Sequence, residues 1–354
     1  QHGFPSVQYH LYERNETSYR FSYTWEYIAG QLLLAGPLAG WLLFWASAKY
    51  KPTDHLERAL KFCFAGIYIF FLITSYKGRV EANWTVPALI PLIILSHQYL
   101  LRKQKLQRIL LILAPITLML VFALRFYLVS NNKFIKTINT NEFEQNKTWA
   151  KQVHALSGNL PVVFINTYQK PSKLWFYGGT PSLSLNTPSY RRNNYNYWPI
   201  EKSFQGKTVF ALSGLSESGS TDSIRTKAGV LYGRKVDSFY SFSGVQMQVR
   251  RTLTIDSTKR IAADIFIKND LGLNLDFSRN SLSRPGIIVF DKDQVVFTSL
   301  LTFAADLYAS NSYHALTDST IHLAKGKYNC RLYIPSAIEG KPSLNSTNII
   351  LKIE

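Results

Sequence analysis

Cysteine is scarce in this chain: Cys63 and Cys330 are the only thiols among 354 residues. One lies inside an apolar run and the other inside a probable strand. Their separation excludes a disulfide framework and a zinc site built on paired cysteines, and both read as isolated buried thiols. Charge is also sparse. Only 18% of residues are charged, whereas 46% are apolar and 14% aromatic, which excludes a disordered tail. No Gly-x-Ser-x-Gly elbow, P-loop, zinc-protease helix or dinucleotide fingerprint occurs. Internal repeats and low-complexity tracts are missing too. The chain opens at Gln1 with no signal peptide. Polar and aromatic residues run straight into an apolar segment, which reads as a piece of a longer chain or a processed product.

What charge there is has one sign. The 40 basic and 22 acidic residues leave a net +18. Positions 1–125 carry 13 basic and 6 acidic residues and positions 126–354 carry 27 and 16, so neither half owns the excess. The basic residues form no dense run, which argues against nucleic acid.

Four apolar stretches dominate the first part: Tyr27–Ala48, Phe62–Tyr76, Trp84–Leu101 and Ile109–Leu124. A helix crosses a bilayer with about 20 apolar residues. The first and third qualify directly, and the second and fourth gain length from their flanks. They predict four transmembrane helices within 1–130. The loop 49–61 carries Lys49, Lys51, Arg58 and Lys61, and the loop 102–108 carries Arg102, Lys103, Lys105 and Arg108. The loop between the second and third helices has only Lys77 and Arg79. Positive residues collect on the cytoplasmic side, so residues 1–26, the 77–83 loop and everything after 128 are expected outside the cytoplasm. Trp25, Tyr27, Trp45, Tyr50, Tyr76, Trp84, Tyr99 and Tyr127 fall near the expected interfaces, as an aromatic belt does. Pro37, Pro87, Pro91 and Pro115 lie inside the stretches, where neighbouring helices could satisfy the freed carbonyls.

The pattern changes near Asn131. A short helix within 131–156, a buried-type strand at 160–167, a helix at 170–177 and strands at 182–186 and 207–213 predict an extracytoplasmic α/β layer over 131–225. The Ser- and Gly-rich run 213–223 reads as a linker. From Gly229 onward, strands at 244–255, 262–269, 286–291, 294–301, 319–323, 326–334 and 348–353 predict an antiparallel β-sandwich over 226–354.

Polar groups at the outer mouth of a helix bundle are functional candidates by default. One cluster is Gln1–Ser6 with Tyr9, His10 and Arg14. The other is Lys77, Arg79, Glu81 and Asn83. A phosphate-bearing lipid needs cations at that depth, and Lys77 and Arg79 supply a point charge and a bidentate fork. Glu81 and Asn83 suit orienting those cations or binding sugar hydroxyls. Alternatively, Lys77 and Arg79 only snorkel to the headgroups. His2 and His10 are eight apart and read as interfacial histidines rather than metal ligands; the sequence gives no metal site and leaves a divalent metal undecided. In the second part, Arg191, Arg192, Tyr195 and Trp198 interleave aromatics with cations. That suits sugar stacking, or a loop that docks this region onto the membrane part. The sequons at Asn15, Asn83, Asn146 and Asn345 are short patterns expected by chance.

The segments HGFPSVQYHLYER, WEYIAGQLLLAGPL and SYKGRVEANWTVPALIPL, followed by YQKPSKLWFYGG and YRRNNYNYW, resemble the later part of bacterial family-39-type glycosyltransferases. These are the polytopic relatives of protein O-mannosyltransferases and of the lipid A aminoarabinose transferase. The resemblance rests on Gly30-Gln31-Leu32-Leu33 and on Asn83-Trp84 with Pro87, and it covers about residues 1–215. It implies a GT-C type membrane bundle in the bacterial inner membrane, with the later domains in the periplasm. It also implies a polyprenyl-phosphate-linked sugar as donor, with membrane lipids as surroundings and the acceptor left open. The family's essential aspartate belongs to an outer loop expected upstream of Gln1, so no general base is carried over. Tyr9, His10, Arg14, Lys77, Arg79, Glu81 and Asn83 would line the lipid-phosphate and acceptor cavity. Two other readings remain: an oligosaccharyltransferase or O-antigen-ligase-like enzyme, and a non-enzymatic membrane-anchored binding module.

Overall fold

A computed structural model describes residues 19–76, 78–129, 142–214, 222–226, 229–249, 253–276, 281–292, 294–303 and 312–353. The chain forms two compact units, 1–141 and 142–354.

The first unit is helical: α1 (Phe21–Ala35), α2 (Gly40–Lys49), α3 (His55–Thr74), a 3₁₀ segment (Ala82–Ala88), α4 (Leu89–Leu101) and α5 (Gln104–Val129). Among the described residues, two helical stretches, Ala82–Leu101 and Gln104–Tyr127, are long and apolar enough to cross a membrane. A third counts if α1 and α2 are taken together, but they meet at a bend of 94°. The expected span Tyr27–Ala48 is therefore not one helix. Gly36 sits at φ +127°, a backbone that L side chains rarely adopt. Pro37 follows it with no N–H to continue the ladder. Gly40 then approaches so closely that a Cβ would overlap the Leu32 carbonyl oxygen. The expected span Phe62–Tyr76 is the later part of α3. Its first turns carry Glu57, Arg58 and Lys61, and Asp54 caps it by accepting the Glu57 N–H at 2.8 Å. Much of the expected loop 49–61 is thus helix. Lys61 Nζ donates to the carbonyls at the end of α2: that of Ser47, that of Ala48 at 2.9 Å and that of Tyr50 at 3.2 Å.

Inside this unit Tyr50, Phe64, Leu92 and Leu95 make a small core, with Phe44 and Tyr68 rings 4.9 Å apart beside it. The outside is as apolar as the inside. Phe62 is 78% exposed and Phe126 77%, and on α5 only Thr117 is buried among the described side chains. Water would not tolerate that surface, whereas hydrocarbon would. Cys63, expected to be buried, is exposed on α3.

The second unit opens with α6 (Glu142–Ser157), β1 (Val162–Ile165), α7 (Gln169–Gly178), β2 (Ser182–Leu185) and β3 (Val209–Ser213). β1 runs parallel to both β2 and β3, giving the βαβ connection expected from the sequence. β4 (Asp222–Thr226) and β5 (Gly229–Val236) then extend the sheet antiparallel, in the order β2-β1-β3-β5-β4. The sheet therefore continues past the expected division at 225/226. One face packs Phe164, Phe210 and Leu231 against Val153 of α6 and Leu174 of α7. The other buries Val163, Leu185, Tyr195, Phe204 and Ile338.

The remaining strands are β6 (Val245–Val249), β7 (Thr254–Ile255), β8 (Ile261–Asn269), β9 (Gly286–Asp291), β10 (Gln294–Phe303), β11 (Ser312–Thr317), β12 (Gly326–Ile334), β13 (Ser343–Leu344) and β14 (Ile349–Ile353). The expected strand at 319–323 is absent, and Ser312–Thr317 pairs in its place. All pairings are antiparallel, in the order β13-β12-β9-β10-β11-β8-β6, with β14 on β12 and β7 on β8. β10 pairs through Leu300 with β9 and from Leu301 with β11. The ladder is continuous rather than two separate sandwich sheets. It curls so that Met247, Ile265, Val289, Leu301, Leu332 and Leu351 share one core. Cys330 lies in that core, and burial pushes its thiol up to about 12.

The two sheets of this unit are bolted together. Leu344 donates its N–H to the Asn186 carbonyl at 2.8 Å. Arg331 of β12 donates to the Pro188 carbonyl at 2.8 Å and to that of Tyr190.

Candidate functional site

In the helical unit, the segments singled out in the sequence converge. Glu26 lies one turn into α1, and Arg79 follows the end of α3. Arg79 Nε stands 3.6 Å from Glu26 Oε2 and 3.8 Å from Glu81 Oε1, with all three side chains half exposed. Pairs this long and this wet contribute little stability, under about 1 kcal/mol each. Their effect is positional: two carboxylates flank the Nε edge of the guanidinium. One turn further along α1, Gln31 is buried and its carboxamide oxygen accepts from the Thr85 hydroxyl. Its amide nitrogen is buried without a partner. Gly30 lies so close to the 3₁₀ segment that an added Cβ would stand 3.3 Å from Ala82 Cβ. Thr24 and Ser75 hydroxyls meet at 3.1 Å, Tyr27 donates to the Tyr68 carbonyl at 2.8 Å, and the Trp84 ring lies 5.9 Å from that of Phe71. A polar seam thus runs between α1 and the 78–88 segment, beside apolar surface.

Arg79 and Glu81 fall in this seam, and Asn83 is exposed at its edge. Tyr9, His10, Arg14 and Lys77 lie outside the described residues. The sequence reading missed Glu26, although its signal was present: it is the only acidic residue between Glu16 and Asp54. It also missed the role of Gln31 as the buried partner of Thr85.

The second cluster behaves differently. Asn193, Asn196 and Asn186 knit the 186–198 loop to itself, with Asn186 Nδ2 donating to Asn196 Oδ1 at 2.6 Å and Asn193 Nδ2 to Asn186 Oδ1 at 3.2 Å. Tyr195 is buried, its hydroxyl 3.0 Å from Ser172 Oγ and its ring 5.4 Å from that of Trp198. Arg191 stacks over Tyr168 at 5.4 Å. Arg192 is held beside Tyr197 with its Nε buried and unpartnered, and burial pushes the guanidinium down from its ordinary value. Arg331 grips this loop from β12. Much of it is therefore interior joinery, with Arg191 and Trp198 left nearer the surface.

Among the described residues, no three His, Cys, Asp or Glu side chains gather as a metal set would. No protein-family model, curated protein or solved structure matches the chain.

Proposed function

We propose that the chain is the later part of an integral-membrane glycosyltransferase with a GT-C type bundle. In this reading four membrane segments, the bent α1–α2 pair among them, place the polar seam at the outer face of a bacterial inner membrane. The second unit is periplasmic. A polyprenyl-phosphate donor gives its sugar to an acceptor hydroxyl on a protein, lipid or glycan. The supporting observation is the meeting of distant segments: Glu26 with Arg79, and Gln31 with Thr85, unite two stretches that carry the family resemblance.

In the implied chemistry the acceptor oxygen attacks the sugar carbon bonded to phosphate, and the departing lipid phosphate gathers negative charge. Arg79 is placed to stabilise that charge while Glu26 and Glu81 fix its orientation. The base that takes the acceptor proton belongs to the expected upstream loop.

The test is sugar transfer in membranes from a polyprenyl-phosphate donor by Arg79→Ala and Arg79→Lys. Loss of a charge-assisted contact of about 1.5–3 kcal/mol lowers transfer roughly ten- to a hundredfold, and a lysine point charge recovers only part. Near-normal rates at equal abundance would sink the assignment. A polymeric product would instead favour the oligosaccharyltransferase or ligase reading. In the binding-module reading, a cleft of about 310 Å³ in the second unit, lined by Ile288, Thr298, Tyr333, Pro335, Ile338 and Lys341, is the place for a ligand. Glycan binding without any transfer would decide for it.

A further inference from the structure

Helix α7 presents an exposed aromatic stripe. Its buried side is set by Pro171 and Leu174. Ser172, Trp175 and Phe176 are exposed on the rest of the helix surface, Trp175 flanking the buried side, and Tyr168 is exposed just ahead of the first turn; spacings of three and four make them neighbours. Phe176 is 81% exposed and Trp175 42%. Trp198, 44% exposed, is linked to this helix through Tyr195, whose ring packs on Trp198 and whose hydroxyl meets Ser172. Arg191 lies over Tyr168 at the other end.

Along the sequence, the charge near the stripe has one sign. From Gln145 to Ile200 the chain carries six basic residues and no Asp or Glu. The stripe is also tethered. Twelve residues separate the end of α5 from the start of α6, a reach of at most roughly 45 Å. The second unit therefore stays near any bilayer that α5 crosses.

We propose that this stripe is a bilayer-contacting surface, seating Trp175, Phe176 and Trp198 at the headgroup level of an anionic membrane. Tryptophan and tyrosine favour that level because each joins an apolar ring to a polar group. Basic residues beside them are drawn to anionic lipid. A protein partner would bury the same rings but gives no reason for a 56-residue stretch without an acidic side chain. The inference needs only a membrane-spanning first unit and is independent of the transferase reading.

The test uses the full chain, with Cys63→Ser, reconstituted in vesicles with and without phosphatidylglycerol. Spin labels are placed at Phe176→Cys, Trp198→Cys and, as a water-exposed reference, Ser257→Cys. In anionic vesicles the labels at 176 and 198 should meet dissolved oxygen readily and a water-soluble nickel chelate several-fold less than the label at 257. Lys173→Gln and Arg191→Gln should each weaken that protection roughly fivefold, as should high salt. Two results overturn the proposal: nickel reaching 176 as freely as 257, or both colliders excluded from 176, which would mean that protein covers it.

Discussion

Glu201 gives its two carboxylate oxygens to different backbone donors: Oε1 accepts the Ser243 N–H at 2.8 Å, and Oε2 accepts the Gly244 N–H at 2.9 Å. The Ser241 hydroxyl donates to Oε1 as well. The carboxylate is fully buried and ties the 3₁₀ segment at 199–203 to the strand entering the curled sheet.

Removing that acceptor should be costly. Glu201→Ala leaves three donors buried, at roughly 1–3 kcal/mol for each unpaired group. Hydrogen exchange over 241–245 should quicken by more than tenfold, while the helical unit is unaffected. Unchanged exchange there would refute the role.

The same residue should give the second unit a pH signature. Burial pushes the Glu201 carboxyl above its ordinary range despite its donors. The folded state then holds the proton more tightly than the unfolded state. This contribution is complete below the unfolded value, about 4.3, and is lost as pH rises through the folded value. Protection measured across that window should fall with rising pH in the wild type and be flatter in Glu201→Gln. Equal slopes would contradict the sign.

The α1–α2 bend rests on two glycines. Gly36→Ala strains a φ of +127°, and Gly40→Leu drives a side chain into the Leu32 carbonyl. Both should reduce folded yield in membranes, Gly40→Leu the more severely. Gly66, with nothing near it, should tolerate alanine. Wild-type yield from Gly40→Leu would mean that the bend is not required.

Asn345 should resist glycosylation even in a secretory host. It is buried, donating through Nδ2 to the Phe242 carbonyl at 2.7 Å and the Val245 carbonyl at 2.8 Å, while Oδ1 accepts the Ile334 N–H at 2.7 Å. Asn345→Ala should lower the midpoint of thermal unfolding, because one donor and two acceptors lose this partner. A glycan found at this position would show that the site opens.

Membrane topology follows from the proposed four segments. Single cysteines at Lys51, Glu81 and Lys103 should label from the cytoplasm, the outside and the cytoplasm in turn. Labelling of position 81 from the cytoplasmic side alone would reverse the arrangement.

Hydropathy made the apolar stretches legible, and turn residues marked β1, α7, β2, β9, β10 and β12. The failures have local causes. Composition cannot show that Gly36 takes a positive φ, so 22 uncharged residues read as one span. β5 escaped because Gly233 breaks its pattern, yet the Phe210 ring of the neighbouring strand fills the space above that glycine. In the site, Arg79, Glu81 and Asn83 were visible through sequence proximity. Glu26 stood out only as an isolated acid, and its pairing with Arg79, like that of Gln31 with Thr85, spans some fifty residues, which no local pattern encodes.

The handover within β10 sets a schedule for biosynthesis. β8 leaves the ribosome with Ile261, Ala263, Ile265 and Ile267 ready for a core. β11, its neighbour, begins at Ser312, and the residues that close the opposite wall lie still later, at Leu332 and Leu351. At about 5–20 residues per second, β8 waits several seconds with its oily side uncovered. Premature termination within β12 would strand that surface for good. Synthesis of β12 to β14 is therefore the step that ends the exposure.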